Sequence, residues 1–270
     1  MGSHDHHDRH DRKAGQDREG QGRKYQQPVQ SAVGHDLPRT IAIDGPAGAG
    51  KSTIGRLLAE RLGYLFVDTG AMYRAVALAA LRRGISPTNE ALLADLAEHL
   101  PVRIENRTPD DKDGRPYTVY IGDEDVTWEI RKPEVEAVVS VIASWPRVRA
   151  ALVRQQRRMA HQRPVVMVGR DITTEVLPDA DLKIYLEASL QERAMRRYKE
   201  LLERGRDVTY QQVEAEIAHR DYLDTHRDAG ALRIAEDAVR INTDGLEIEQ
   251  SLEKVLDVVR SWRRAQRENP

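Results

Sequence analysis

The chain has 270 residues, of which 32% are charged and 5% aromatic; 42 Lys plus Arg against 44 Asp plus Glu leave a net charge of −2, and there is no Cys. That balance argues against a general polyanion binder or an acidic solvating chain, and the missing Cys excludes a disulfide scaffold, a thiolate zinc site and a Cys nucleophile. The longest apolar run, residues 75–81, is too short to span a bilayer, and no positive-then-apolar leader opens the chain, so a soluble cytoplasmic protein is expected.

Residues 1–37 carry His4, His6, His7, His10 and His35 among cancelling charges, with no apolar period. This stretch reads as a disordered extension that cannot offset its ordering entropy, with a metal-binding His tract as the alternative. From Arg39 strand and helix alternate. Residues 40–43 form a short apolar β-branched strand, followed by a Gly-rich turn and a helix over 52–62 that Gly63 stops. A strand over 64–67 leads to a helix over 71–83, halted by Gly84, and Ser86 or Thr88 is placed to cap one more through about Leu100. Residues 102–104 and 117–121 alternate apolar and polar around a turn-rich 109–116, which predicts an inserted antiparallel hairpin. Largely apolar strands follow at 165–168, 182–186 (with Lys183) and 239–241 (with Arg240), each beside helical stretches. Such strands belong to a parallel sheet covered on both faces. Arg-rich helices over 190–203 and 210–227 flank Gly205, and they read as an attachment able to close over a ligand. The division expected is therefore a tail at 1–37 and one domain at 38–270, with an insert at about 101–140 and a lid at about 190–220.

Gly45-Pro46-Ala47-Gly48-Ala49-Gly50-Lys51-Ser52 fits G-x-x-x-x-G-K-S/T between a predicted strand and a predicted helix. Glycines let backbone N–H groups converge on phosphate oxygens, and the helix N-terminus adds partial positive charge. Lys51 is placed for the β- and γ-phosphates and the Ser52 hydroxyl for Mg²⁺. These residues and Thr53 are the ATP-binding candidates. No Asn-Lys-x-Asp tetrapeptide reads guanine, and the best apolar strand, 165–168, runs into Gly169-Arg170-Asp171 rather than ending in an acid. A small-substrate kinase is favoured. A phosphate acceptor is already a nucleophile, so such an enzyme needs positioning and charge neutralisation more than a general base, and Arg74, Arg149, Arg170, Arg220 and Arg227 are the candidate clamps.

Asp68-Thr69-Gly70-Ala71-Met72-Tyr73-Arg74, Trp145-Pro146-Arg147-Val148-Arg149, Gly169-Arg170-Asp171 and Arg220-Asp221-Tyr222-Leu223-Asp224 follow the phosphate loop in that order. Together they resemble bacterial cytidylate (CMP) kinases, from Arg39 to about Val259. The resemblance implies a three-layer α/β P-loop kinase fold with a parallel central sheet, a small antiparallel β insert and a helical lid. It also implies MgATP and CMP or dCMP as substrates; a monomer is expected, with no membrane partner and, lacking an aromatic stacking platform and net positive charge, no nucleic-acid partner. By the same resemblance Thr69, Arg74 and Arg170 hold the phosphate side of CMP, with the base or sugar as an alternative contact for Thr69. Ser140, Arg149 and Asp171 read cytosine, Asp171 accepting from its N4 amino group. Asp224 accepts the ribose hydroxyls, bracketed by Arg220 and Arg227 on one predicted helical face. Lys51, Arg74, Arg170 and Asp171 are the catalytic candidates. The lid arginines are Arg193, Arg196, Arg197, Arg204 and Arg206, between which spacing does not choose.

Two positions depart from the pattern. Val168 stands where the family usually has an acid, and Thr173 where it has glycine, leaving the metal to Ser52, phosphates, water and Asp44. The alternatives are a kinase for another small acceptor, such as UMP or shikimate, and a catalytically weak nucleotide sensor, which Val168 alone supports.

Overall fold

A computed structural model describes residues 37–268, with side chains to 262; the expectation for the tail lies outside the described residues. Five strands, β1 (Thr40–Asp44), β2 (Leu65–Asp68), β6 (Val165–Val168), β7 (Leu182–Glu187) and β8 (Val239–Asn242), form one sheet in the order β2-β6-β1-β7-β8, every neighbouring pair parallel. The predicted parallel sheet is present. Ile41, Ala42, Ile43 and all of β6 are buried, so both faces are covered, which is why these strands carry no polar alternation. Among the covering helices, α1 (Lys51–Leu62) packs on β6 and β2 and against α8 (Ile248–Glu268). A connected group is made by α2 (Thr69–Arg82), α3 (Glu90–His99), α4 (Pro133–Ser144) and α5 (Pro146–Gln162). One start signal differs from expectation. Asn89, not Ser86 or Thr88, caps α3 by accepting from the Leu92 N–H, because the Ser86 and Thr88 hydroxyls bond each other at 2.8 Å in the preceding turn.

The predicted hairpin is formed by β3 (Val102–Asn106) and β4 (Tyr117–Ile121), antiparallel from Val102↔Ile121 to Asn106↔Tyr117, and β5 (Glu124–Asp125) adds a third strand. Val102 and Ile104 face inward while Arg103 is exposed, the alternation of a half-solvated sheet. Asn106 ties this small sheet to the large one. Its Oδ1 accepts from the Phe66 N–H (2.8 Å) and its Nδ2 donates to the Tyr64 carbonyl (2.7 Å), while the Tyr117 ring packs 5.4 Å from that of Phe66.

Two further helices, α6 (Leu190–Glu203) and α7 (Tyr210–His226), pair through a cluster of their own, Ala194, Val213 and Ile217, separate from the main core. Thr209 and Gln212 form a reciprocal cap at the start of α7. The helix ends at His226, and Arg227 is extended (φ −75°, ψ 149°). Arg220 and Asp224 therefore share a helical face as predicted, but Arg227 approaches Asp224 from beyond the helix.

Asn106→Ala removes two hydrogen bonds joining the sheets. We expect a loss of about 1–3 kcal/mol, read as a fall of several degrees in the thermal unfolding midpoint.

Candidate active site

The carboxyl ends of β1, β2 and β6 meet beside the phosphate loop. Gly45 (φ 153°) closes the loop against β7, where a Cβ would overlap the Leu186 carbonyl oxygen. Such a position tolerates no side chain. Gly50 caps α1 and aims the first helical N–H groups into the loop. Lys51 is buried, and its Nζ donates to the Pro46 carbonyl at 2.7 Å. Burial, with the nearby Arg170 charge, drives its ammonium well below the ordinary lysine value, against the pull of Asp44, Asp224 and Asp68. Thr53 is half-buried behind Ser52. Of the five lid arginines, Arg193 touches the loop: its Nη1 donates to the Ala47 carbonyl (3.0 Å) and its Nη2 lies 2.7 Å from Asp221. Arg196 is tied to Glu192 and to the Thr243 carbonyl, Arg197 and Arg204 to Glu200, and Arg206 is exposed.

The Ser52 hydroxyl donates to Asp68 Oδ2 at 2.9 Å, and the Tyr117 hydroxyl reaches the same oxygen at 3.2 Å. Asp68 ends β2 in register with Val168 on β6. Hence a carboxylate does stand beside the loop serine, one strand over from the position the sequence comparison flagged. Val168 itself is buried, its Cγ1 packed under Gly55 of α1. The expectation that Asp44 could serve the metal is not met. Asp44 is fully buried and accepts from the Ile172 N–H (2.9 Å), the Thr173 N–H (2.7 Å) and the Thr173 hydroxyl (2.7 Å). Burial raises its pKa despite these three bonds. Thr173 thus earns its place through its hydroxyl, where a glycine would leave Asp44 one donor short. Among the described residues no three His, Asp or Glu side chains cluster to hold a metal. A hydroxyl beside one carboxylate suits Mg²⁺, which takes most of its oxygen ligands from water and phosphate.

Opposite the loop, charged pairs converge. The Arg170 Nε donates to Asp224 Oδ2 at 2.6 Å, and the Arg227 Nη2 donates to Asp224 Oδ1 at 2.5 Å. Burial works against ionisation of Asp224, but Arg170, Arg227 and Arg220 outweigh it and hold the carboxyl below its ordinary value. Arg149 and Asp171 form a buried ion pair, the guanidinium 5.5 Å over the Tyr73 ring, and burial pushes that phenol up to about 12. Gly230 (φ 63°) passes so close that a Cβ there would overlap the guanidinium of Arg149. Arg74 pairs with Glu136 of α4, and Arg220 lies 3.7 Å from the same carboxylate. Ser140 is exposed one helical turn after Glu136. The Thr69 hydroxyl, like that of Ser52, is already engaged, donating to the Val168 carbonyl at 2.9 Å in a buried position.

The family model for cytidylate kinase matches residues 41–261. A curated cytidylate kinase of Chloroflexus aggregans is 53% identical over 221 residues, covering 82% of this chain and 94% of that protein. Those of Roseiflexus castenholzii and Geobacter sulfurreducens are 49% and 47% identical over 81% and 83% of the chain, and 92% and 94% of those proteins. The chain belongs to the cytidylate kinase family. Among its described residues no helix is long and apolar enough to cross a membrane.

Three functional candidates in this cytidylate kinase family member were not assigned from sequence. Asp68 stands inside a quoted motif, but only strand register brings it to Ser52. Arg193 could not be told from its neighbours by spacing. Glu136 looks like an ordinary first-turn acid of a helix. The Arg149–Asp171 pair carries a direct stability consequence. Asp171→Ala leaves a buried guanidinium unpaired, and we expect a loss of about 3 kcal/mol in a denaturant titration, with Asp171→Asn costing less because it keeps an acceptor.

Proposed function

We propose that the protein transfers the γ-phosphoryl group of MgATP to CMP, and to dCMP, releasing ADP and the diphosphate. The observation that carries this reading is the buried Asp171–Arg149 pair, set beside a phosphate loop and a bank of arginines. A carboxylate accepts from the N4 amino group of cytosine and repels the O4 of uracil, while Arg149, with Ser140, offers donors to the O2 and N3 side. Arg170, Arg74 and Arg220 take the acceptor phosphate. Asp224, held ionised by Arg170 and Arg227, accepts from the ribose hydroxyls. Thr69 serves by fixing the β6 terminus through the Val168 carbonyl.

The acceptor oxygen is already anionic, so the protein's work is alignment and neutralisation of charge on the transferring group. In this reading the backbone from Gly45 to Thr53 cradles the β- and γ-phosphates, Lys51 reaches them with its ammonium, and Arg193 adds a cation from the lid. The Ser52 hydroxyl, with Asp68 beside it, would hold Mg²⁺, and the ion would supply neutralisation of phosphate oxygens. The insert at about 101–140 and the lid at about 190–220 are the parts that close over the substrates within a domain spanning 38–270. The protein acts as a cytoplasmic monomer with nucleotides as its partners. The reading as a weak sensor rested on Val168, and with that side chain packed into the core and Asp68 beside Ser52 no observation favours it.

The test is ADP release with CMP, dCMP, UMP, AMP or shikimate as acceptor. Rapid turnover is expected with CMP, and Asp171→Asn should narrow the gap between CMP and UMP. Equal use of UMP by the unaltered protein would overturn the base assignment. Lys51→Ala should lower kcat by on the order of 10²–10³-fold. Asp68→Asn should raise the Mg²⁺ concentration needed for half-maximal rate, which a magnesium titration at fixed ATP measures.

A further inference from the structure

Acidic residues in the first turn of a helix commonly offset its dipole. In α4 Glu134 does this from an exposed position, whereas Glu136 reaches across the cleft. Its Oε2 accepts from the Arg74 Nη1 on α2, and its Oε1 lies 3.7 Å from the Arg220 Nη1 on α7. Partial burial opposes ionisation, yet Arg74, Arg220 and Arg197 of the lid pair hold this carboxyl below its ordinary value. Two cations from two different helices, Arg74 and Arg220, therefore share one acid. A carboxylate offers a guanidinium the same face as a phosphate does, two anionic oxygens suited to the planar fork.

We propose that Glu136 is an internal anion competing with the acceptor phosphate for Arg74 and Arg220, so that a monophosphate binds by displacing this side chain. The proposal rests on the CMP reading of the arginine bank. Glu136 and Arg220 are 49% and 47% exposed, so the pair is screened and its strength small. The exchange then costs CMP about two- to fivefold in affinity. It also makes the site demanding. A dianionic phosphate can evict the carboxylate, whereas an uncharged nucleoside leaves Arg74 and Arg220 bound to it. Displacing Glu136 removes its ties to Arg74 and Arg220 while α4 stays packed on α2, and Ser140 lies one turn further along the same helix.

The experiment compares the full chain with Glu136→Gln and Glu136→Asp, measuring calorimetric dissociation constants for CMP, cytidine and inorganic phosphate, together with KM and kcat for CMP. Glu136→Gln is expected to bind CMP and inorganic phosphate about two- to fivefold more tightly, with KM falling likewise, cytidine binding unchanged and Glu136→Asp intermediate. Weaker or unaltered CMP and phosphate binding in Glu136→Gln would show that the carboxylate organises the arginines instead of competing for them, and overturns the proposal. A cytidine shift equal to the CMP shift overturns it too, since that reports a general change in α4. If the unaltered protein fails to turn CMP over, the functional reading falls, while the inorganic phosphate measurement still decides whether Glu136 occupies the arginines.

Discussion

Arg74, Arg149, Arg170, Arg193, Arg220, Arg227 and Lys51 converge on one cleft, and their mutual repulsion is the constraint around which the rest is arranged. Two unit charges 4 Å apart interact by roughly 4 kcal/mol near a protein surface. The fold meets this by giving each cation a partner from another element or turn. Asp224 serves Arg170 and Arg227, Asp171 serves Arg149, Asp221 serves Arg193, Glu136 serves Arg74 and Arg220, and Lys51 is closed onto the Pro46 carbonyl. Seven cations are thus held by four carboxylates and one carbonyl, which softens their repulsion and leaves the cleft positive, as a phosphate requires.

The partners are graded by burial, and that grading divides labour. Asp44 is fully enclosed and spends all its capacity fastening the end of β1 to the turn after β6, which fixes Arg170 and Asp171 relative to the phosphate loop. The Arg149–Asp171 pair is nearly as buried and has a rigid aromatic floor in Tyr73. The pairs of Glu136 are half-exposed and easily exchanged. In the reading proposed above, rigid charge faces the base edge and exchangeable charge faces the incoming phosphate. The α6–α7 pair has its own apolar cluster, reaches the loop through Arg193, and is held to the rest of the fold by polar ties such as Arg196 to the Thr243 carbonyl and Asp224 to Arg170.

Much of this was legible in the sequence, for identifiable reasons. Apolar strands without alternation announce a doubly covered parallel sheet, and the alternating 102–104 and 117–121 stretches announce a half-solvated hairpin; both are present. The phosphate loop is a contiguous backbone device, so its residues can be read one by one. What could not be read depends on side chains meeting across the fold. Asp68 reaches Ser52 only through the register of β2 on β6, and Arg193 differs from its neighbours only in facing Ala47. Val168 looked like the loss of a carboxylate because one-dimensional comparison does not show that the neighbouring strand supplies one. The cap of α3 went to Asn89 because two equally good candidates, Ser86 and Thr88, bonded each other.

Asn106 has a consequence beyond joining two sheets. β2 is an outer strand, and an outer strand presents bare N–H and C=O groups on which another chain can continue the ladder. The side-chain amide of Asn106 offers one acceptor and one donor to Phe66 and Tyr64, in the manner of one further peptide unit, and then stops. The ladder is completed by a group that cannot propagate it. On the β2 side the small sheet thereby closes the edge against continuation by another chain.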